Sequence, residues 1–460
     1  MLFPCNARTV DIGEKLVDPR TGPIKALSCL MNGAHDPKVF ITITEISRTS
    51  RISPFLGGIS STGVGLTAAE SRGVALGEAI EDYCVSIVPE NLVLSTWKNL
   101  SQSGYQALHP KDYPLFSERQ YAQKDFPFSP FTEQTFLRWV KSHSVFTNEE
   151  ILVPAALVYG AYQPDKQEAK ICPTNFAGTG CGQTKEQALI AALSEIIERD
   201  AMMIWWLNQM PCKRCQPVPG SWFSQVLAKY LHASRLEFEL WDISTDINIS
   251  CFFGLLTDPH NKIVSGGFAC RLNPQLTALK ALYECLQNRL GVLSLKKGVG
   301  INEMNARIGK DILYHPEQNK HFAFAEQINF SAMIQLNMNL QFYAEPKNFH
   351  YLDTIRSCQE EILLPDSPVD PRKDDPTQIL ATYLQILKEK KQEILCVDIT
   401  LPDMRELGFI VLRVLAPGLV PNSVTAWPYL GNPRLYEVPK KLGFPQKEES
   451  ELCPAPMPYG

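Results

Sequence analysis

Residues 62–82 read TGVGLTAAESRGVALGEAIED, and residues 179–199 read TGCGQTKEQALIAALSEIIER. At the constant offset of 117 residues between them, nine of the 21 positions are identical. Agreement at this density over a fixed offset indicates an internal repeat. We therefore interpret the two stretches as copies of one duplicated unit, and the duplicated unit decides the fold.

Each copy predicts the start of a helix. Thr67 is followed three residues later by Glu70, and Thr184 is followed at the same spacing by Gln187. Both pairs fit a capping box, in which the threonine hydroxyl accepts from the N3 amide while the N3 side chain reaches back. We expect a helix to begin at the same point of each copy.

The residues shared between the copies include two carboxylate pairs, Glu78 with Glu81 and Glu195 with Glu198. Three residues separate the members of each pair, which places both carboxylates on one helix face. The second helix is apolar on most sides and has no broad polar face to offer water. Its carboxylates are therefore predicted to be buried.

Adjacent buried negative charges cost several kcal/mol unless a cation or hydrogen bonds compensate them. In one interpretation, Arg199 pairs with one glutamate of the second copy and the other glutamate reaches the surface. In the other, the two helices pack face to face and divalent cations bind among four carboxylates. Mg2+ suits such hard oxygen ligands, and it usually shares its coordination shell with substrate phosphates.

A third segment, TALKALYECLQNRLGVL at residues 277–293, predicts a related helix. Ala281, Leu282, Glu284 and Gln287 repeat the spacing of the duplicated motif, with Gln287 in the second acidic position and Arg289 two residues later. An amide and a guanidinium at these places are suited to donating hydrogen bonds to phosphate oxygens. An amphipathic helix with a solvated polar face explains the pattern equally well.

The composition is that of an ordinary globular protein: 460 residues, 45% hydrophobic and 20% charged. A net charge of −5 argues against nonspecific binding of nucleic acid. The sequence has neither an apolar run of membrane-spanning length nor a recognisable signal peptide at its start. Its scattered cysteines suit a reducing compartment, so we expect a cytoplasmic protein. No P-loop motif occurs, so a nucleotide would need another kind of site.

Strand-like runs alternate with the helical segments along the chain. They are KVFITITEI, ILVPAALVYGAY, RLEFELWDI, CFFGLLTD, VSGGFACRL, ILCVDIT and GFIVLRVLA. The interleaving predicts an α/β (α+β) fold.

Several longer runs carry a resemblance to a known family. They are VALGEAIEDYC, NFAGTGCGQTKEQALIAALSEIIERDAMMIWW, ALYECLQNR, FIVLRVLAPGLVP followed by GNPRL, and the terminal PAPMP. The chain resembles the YcaO superfamily, specifically the SagD-like D-proteins of azoline-forming cyclodehydratases, which modify ribosomally made peptides. The resemblance covers most of residues 55–460.

The resemblance implies a YcaO fold with an internal pseudo-repeat, mixed sheets packed with helices and an extended proline-rich tail. The expected division is a β-rich extension at residues 1–54, a YcaO domain with an ATP and Mg2+ site at residues 55–440, and the tail at residues 441–460.

The resemblance also implies roles for individual residues in an ATP site without a P-loop. The expected metal ligands are Glu78, Glu81, Glu195 and Glu198. The residues expected around the nucleotide are Gln183, Gln187, Arg199, Glu284, Gln287 and Arg289.

Gln183 stands where the family usually has an Asn, and three further positions depart from the family pattern. Gln187 stands where a metal-binding Glu is usual, Val64 where a Lys is common, and Asp82 where an Arg is usual. A neutral amide oxygen binds a metal more weakly than a carboxylate, and the other two changes remove positive charge. These departures favour a weaker enzyme, a rearranged site or a scaffold.

The tail reads Pro454-Ala455-Pro456-Met457-Pro458 and is followed by Tyr459 and Gly460. In related D-proteins a P-x-P-x-P end reaches toward the active site, which implies the same place for Pro454, Pro456 and Pro458. Prolines pre-order an extended segment at little entropic cost. The alternative is a frayed, proline-rich end.

The implied reaction is cyclodehydration of Cys, Ser or Thr in a precursor peptide, driven by ATP. The expected partners are the precursor peptide and an E1-like (ThiF-like) leader-binding protein, with a flavin-dependent dehydrogenase as a further candidate, in a homodimer or larger complex. Two alternatives use the same sequence features: an ATP-dependent thioamide synthase, and a catalytically weak docking scaffold.

Overall fold

The structure is a computed structural model that describes residues 7–33, 35–47, 60–308, 312–315, 330–366, 372 and 374–460. The strands of this part of the chain are β1 Ile24–Leu30, β2 Phe40–Ile46, β3 Ser60–Gly65, β4 Val93–Ser95, β5 Leu137–Ser144, β6 Glu150–Pro154, β7 Thr179–Gly182, β8 Lys213–Pro217, β9 Glu237–Asp242, β10 Cys251–Asp258, β11 Ile263–Cys270, β12 Glu361–Leu364, β13 Leu395–Asp398 and β14 Ile410–Leu415.

The α-helices in the same residues are α1 Ala7–Glu14, α2 Ala68–Ser86, α3 Trp97–Gln102, α4 Glu118–Tyr121, α5 Ala155–Val158, α6 Lys185–Asn208, α7 Trp222–Val226, α8 Pro274–Lys296, α9 Ile301–Ile308, α10 Asn337–Phe342, α11 Asp353–Arg356, α12 Pro376–Glu389, α13 Pro402–Glu406 and α14 Arg434–Lys441. Helices and strands interleave as the sequence predicted, so the α/β assignment is confirmed.

The strands form three sheets. Their orders are β1-β2-β3, β4-β5-β13-β14-β7 with β6 paired to β5, and β11-β10-β9-β8-β12. All the neighbouring pairs are antiparallel except β8 and β12, which run parallel. The strands β3, β7 and β11 each lie at the edge of a different sheet.

Each of these three edge strands leads directly into a long helix: β3 into α2, β7 into α6 and β11 into α8. A glycine lets each strand pass close to the backbone of its own helix. A Cβ on Gly63 would lie 2.1 Å from the Ser71 carbonyl oxygen, and one on Gly180 would lie 2.2 Å from that of Ala188. Any larger residue at these two positions would push strand and helix apart.

The three strand-helix units close into a ring. The helix α2 contacts β7 as well as its own strand, α6 contacts β11, and α8 contacts β3. Each helix therefore packs against the edge strand of the next unit. The two copies of the sequence repeat thus form two of the three units in this ring. The third unit is β11 with α8, the helix predicted from the third segment.

Most strand-like runs of the sequence form the strands predicted for them. The run ILVPAALVYGAY differs, because only residues Glu150–Pro154 form a strand and the short helix α5 follows at Ala155. Proline cannot donate to a sheet ladder and suits a helix start, which explains the change of structure at Pro154.

The proposed boundary between residues 54 and 55 falls within residues 48–59, outside the described part of the chain, so the division into domains stays a prediction. Among the described helices, none is both long and apolar enough to cross a membrane.

Candidate active site

Both helices of the repeat begin as the sequence predicted. The Thr67 hydroxyl accepts from the Glu70 amide at 3.2 Å, and the Thr184 hydroxyl accepts from the Gln187 amide at 3.3 Å. In both copies the N3 side chain accepts from the amide of the residue before the cap, at 2.9 and 3.0 Å. In the second copy that residue is Gln183. The side chains of Glu70 and Gln187 therefore stabilise equivalent helix starts.

The second carboxylate pair lies on the inner face of α6. Glu198 is buried, with 7% of its side chain exposed, whereas 28% of the Glu195 side chain is exposed. Arg199 contacts both: its nitrogens lie 3.0 Å from Glu195 and 2.8 Å from Glu198. Gly178 donates its backbone N–H to Glu195 at 2.9 Å. The interpretation in which Arg199 pairs with only one glutamate is wrong, because one guanidinium bridges the pair.

The first carboxylate pair faces the second across the ring. The backbone N–H of Cys181, in β7, donates to Glu81 at 2.7 Å. Burial raises the pKa of Glu81 to about 8, and the nearby charge of Glu195 adds to the rise. Burial likewise raises the pKa of Glu78 to about 7, with Lys280 opposing the rise and Glu284 reinforcing it. The structure therefore brings all four predicted glutamates into one electrostatic cluster.

The third helix completes this cluster. Lys280 forms an ion pair with Glu284 one turn later on α8. Burial favours a higher pKa for Glu284, but Lys280 and Arg199 outweigh it and hold that pKa below its ordinary value. Burial also raises the pKa of Glu198 to about 7. The charge of Arg199 opposes this rise, and the charge of Glu284 adds to it. Glu284 is therefore part of the shared site rather than of a solvated face.

The other two residues predicted on α8 have different surroundings. Arg289 donates to Asp258 at 2.8 Å and to Asp36 at 3.1 Å, so its guanidinium is held by two carboxylates. Gln287 is half-buried on the same helix. A role for Gln287 and Arg289 at phosphate oxygens stays a prediction, and Arg289 would have to exchange an existing ion pair for the phosphate.

The proline-rich tail is ordered and enters the core, so the expectation of a frayed end is wrong. Pro456 accepts from the Tyr343 hydroxyl at 2.8 Å, and Pro458 accepts from the Gly266 amide of β11 at 2.6 Å. Beyond these prolines, the Tyr459 ring lies under the Arg199 guanidinium, 4.8 Å from ring centroid to Cζ. The tail thus reaches the carboxylate cluster, where Tyr459 contacts Arg199. Pro454 is exposed at the entrance to this path.

Sequence reasoning missed Lys280, Tyr459 and Arg413. The four-residue spacing between Lys280 and Glu284 was a readable signal of a helical ion pair. Tyr459 and Arg413 gave no local signal, because each lies more than 200 residues from the helix whose site it joins.

The carboxylates do not form a closed metal cage. Within the described ranges, no three His, Cys, Asp or Glu side chains are grouped as metal ligands. Within the cluster, Arg199 and Lys280 pair with individual glutamates, and the backbone amides of Gly178 and Cys181 donate to Glu195 and Glu81. This arrangement agrees with the chemistry of Mg2+, which takes few protein carboxylates and completes its shell with water and phosphate.

Fold and site together define a protein class. Residues 62–420 match the family described as YcaO cyclodehydratase, ATP- and Mg2+-binding. This match covers more than half of the chain, so the chain belongs to the YcaO family, as the sequence predicted. The predicted cofactors, ATP and Mg2+, are those of the family.

Solved structures share the fold. One heterocyclase, described in complex with substrate and cofactor, superposes with a TM-score of 0.70 at 22% identity and covers 98% of this chain. The heterocyclase TruD superposes with a TM-score of 0.59 at 25% identity over 85% of this chain. The present chain spans 57% and 50% of these two chains. A YcaO protein from Methanopyrus kandleri, bound with AMPPCP and Mg2+, has a TM-score of 0.55 at 16% identity, with 90% and 88% of the two chains covered.

A sequence relative is an uncharacterised protein of Methanothermobacter thermautotrophicus. It is 24% identical over 400 residues, covering 83% of this chain and 90% of the relative.

Proposed function

We propose that this protein is an ATP-dependent cyclodehydratase that converts Cys, Ser or Thr residues of a ribosomally made precursor peptide into azolines. The observation that carries the proposal is the convergence of five glutamates from α2, α6 and α8 around two cations, Arg199 and Lys280. A site so rich in carboxylates suits a reaction in which Mg2+ and phosphates meet.

The residues present fit the expected cofactors. Burial raises the pKa of Glu78, Glu81 and Glu198 to about 7 or 8, so their negative charges are poorly compensated by the protein alone. Divalent cations would supply the missing positive charge. Glu78, Glu81, Glu195 and Glu198 would hold Mg2+, which supplies charge neutralisation at the β- and γ-phosphates.

The cations of the site have distinct tasks in this proposal. Arg199 holds Glu195 and Glu198 in one orientation, and its position beside them suits a contact with phosphate. Lys280 neutralises Glu284 from within the third helix. Tyr459 covers the face of Arg199 and excludes water from one side of the guanidinium. Gln183 and Gln187 lie at the start of α6, within the same unit.

The proposed reaction forms each ring at the expense of one ATP. The substrate thiol or hydroxyl adds to the preceding amide carbonyl, forming a carbon–sulfur or carbon–oxygen bond, and its proton passes to the carbonyl oxygen to give a hemiorthoamide. That oxygen releases the proton to solvent when it is phosphorylated. The hemiorthoamide oxygen accepts the γ-phosphoryl group of ATP, giving ADP, and then leaves as phosphate. Loss of the amide proton completes the C=N bond of the azoline. The net change in the peptide is the loss of one water for each ring.

The proposed setting includes a partner protein. We expect an E1-like leader-binding protein to deliver the precursor peptide in the cytoplasm, and a flavin-dependent dehydrogenase is a further candidate in the same complex. The resemblance of the sequence to SagD-like D-proteins supports this setting.

A reconstituted reaction tests the function. The full chain, its precursor peptide and its E1-like partner are incubated with Mg-ATP, while phosphate release and peptide mass are recorded. We expect phosphate release that depends on the peptide, with loss of one water per ring. No ATP turnover above background would support the scaffold instead. Turnover that requires sulfide and yields a peptide with sulfur in place of oxygen would identify a thioamide synthase.

A further inference from the structure

A second polar site adjoins the carboxylate cluster on the other side of Arg199. It is a cavity of about 40 Å³ between α6, β14 and the segment that follows β14. Its walls are largely apolar and include Leu157, Ile196 and Leu419. Arg199, Arg413 and Asn422 also line it, and all three are at least nine-tenths buried.

Each of these three side chains has a buried polar atom without a hydrogen-bond partner. The atoms are Nε of Arg199, Nε of Arg413 and Oδ1 of Asn422. Buried polar groups are nearly always paired in folded proteins, so three unpaired atoms on side chains that line one cavity indicate a ligand that pairs with them. The set offers two N–H donors and one carbonyl acceptor.

Arg413 strengthens this indication. Its remaining nitrogens donate to the Thr179 hydroxyl at 3.2 Å and to the carbonyl oxygens of Leu157 and Asn175 at 3.1 and 3.0 Å. Among the described residues, no carboxylate forms an ion pair with it, although only 1% of Arg413 is exposed. The hydrogen bonds of this buried guanidinium all go to neutral groups, and Glu195 is a nearby charge that favours it. A further acceptor in the cavity would pair its Nε.

We propose that this cavity binds a backbone amide of the peptide substrate. The amide carbonyl oxygen would accept from the Nε atoms of Arg199 and Arg413, and the amide N–H would donate to Asn422. The cavity volume is that of roughly three water molecules, which matches the carbon, oxygen and nitrogen atoms of one peptide group. An anion such as acetate satisfies the two donors but leaves the Asn422 oxygen unpaired.

The assignment deepens the proposed function and rests on it for the identity of the substrate. Arg199 is shared between the two sites: its terminal nitrogens hold Glu195 and Glu198, while its side chain lines the cavity and its Nε has no partner. The same Arg199 guanidinium would therefore contact both the bound amide and the proposed phosphate site. Its carbonyl oxygen would be polarised by two guanidinium groups at the place where negative charge develops during attack.

Binding of small probes tests the site without ATP, partner or precursor peptide. N-methylacetamide carries one peptide group, methyl acetate has nearly the same shape without the N–H, and acetate is an anion. We expect N-methylacetamide to raise the thermal unfolding midpoint of the full chain and methyl acetate to bind about tenfold more weakly, the size of one lost hydrogen bond. A crystal structure with N-methylacetamide should show the amide between Arg413 and Asn422. Tighter binding of acetate or inorganic phosphate than of the amide would overturn the assignment.

Variants of the cavity residues test whether the small molecules bind in this cavity. Asn422→Leu removes the acceptor while its side chain makes no hydrogen bond to the described residues, so the fold should persist. It should abolish the preference for N-methylacetamide over methyl acetate. Arg413→Lys keeps the charge but loses Nε, and should weaken amide binding about tenfold. Gln335→Leu removes an amide from the neighbouring cavity and serves as the control, because it should change neither result.

The reconstituted reaction separates this inference from the proposed function. Asn422→Leu should raise KM for the precursor peptide about tenfold while leaving KM for ATP unchanged. Amide binding without any ATP turnover in the wild-type chain would defeat the proposed function and leave the cavity assignment standing. Turnover with no amide binding, and with unchanged peptide KM in Asn422→Leu, would defeat the cavity assignment alone.

Discussion

The two copies of the repeat have the same backbone but different charges. In α6, Arg199 directly follows the second glutamate and contacts both carboxylates of its pair. In α2 the equivalent position is Asp82, which accepts from the Ser61 hydroxyl at 3.0 Å. The second pair thus has a cation on its own helix, whereas the first pair has a third carboxylate next to it.

The first pair instead depends on the third unit for compensation. Lys280, on α8, lowers the pKa of Glu78, while Glu81 is left with a pKa of about 8 because burial dominates. The two copies therefore share their geometry but differ in how their carboxylates are compensated. The pair on α6 has a cation on its own helix, whereas the pair on α2 draws compensation from α8.

Loss of a carboxylate from either copy should have the largest effect. Glu195→Gln and Glu81→Gln should each reduce Mg-ATP turnover roughly 100-fold or more, because each removes an expected metal ligand. Both proteins should stay folded, as judged by circular dichroism and thermal unfolding. Glu389→Gln, on the exposed face of α12, is the matched control. Retained turnover in Glu195→Gln would refute its role as a ligand.

Because the two copies are structurally equivalent, substitution of the glycine at which strand and helix pass closely should destabilise both copies equally. Gly63→Ala and Gly180→Ala should each lower the free energy of unfolding by about 3 kcal/mol, since the added Cβ would overlap a backbone carbonyl oxygen. In Gly291→Ala the new Cβ would meet only the flexible Leu340 side chain, so a much smaller change is expected. Urea unfolding measures all three variants. A large difference between Gly63→Ala and Gly180→Ala would break the structural equivalence.

Stability of the metal-free protein should fall as pH rises. The folded-state pKa of Glu81 is about 8, above its ordinary value of 4.5, so the folded state holds this proton more tightly than the unfolded state. The resulting stabilisation is complete below about pH 4.5 and is lost as pH rises toward 8. We expect a loss on the order of 2 kcal/mol between mildly acidic and mildly basic pH, measured by urea unfolding. Glu81→Gln should flatten the trend, and an unchanged slope in that variant would contradict it.

The smallest effect concerns the helix starts, where Glu70 and Gln187 differ between the copies. Gln187→Glu should keep the bond to the Gln183 amide and change the unfolding free energy by less than about 0.5 kcal/mol. It should lower the Mg2+ concentration needed for half-maximal ATP turnover, because a carboxylate is a better ligand than an amide oxygen. Titration of Mg2+ in the turnover assay checks this. An unchanged Mg2+ concentration for half-maximal turnover would show that Gln187 serves only as a cap.

The helix starts and glutamate faces were predictable from the sequence because they depend on spacings of three or four residues. Thr67, Thr184 and the two carboxylate pairs are examples, and the strand-like runs followed the same logic of local period. The sequence showed the glycine-rich strands as part of the repeat, but it did not show that each strand passes so close to the backbone of its helix.

The duplicated unit, the starts of its helices, the pairing of its carboxylates and the reach of Arg199 to Glu195 and Glu198 all follow from the sequence, because each depends on neighbours along one helix. Two contacts of the site depend on the folded chain: Lys280 compensates the first pair, and Tyr459 covers Arg199. The closed ring and the cavity beside Arg413 also belong to the tertiary structure. These features join segments separated by tens to hundreds of residues, and the packing that joins them leaves no periodic pattern in the sequence.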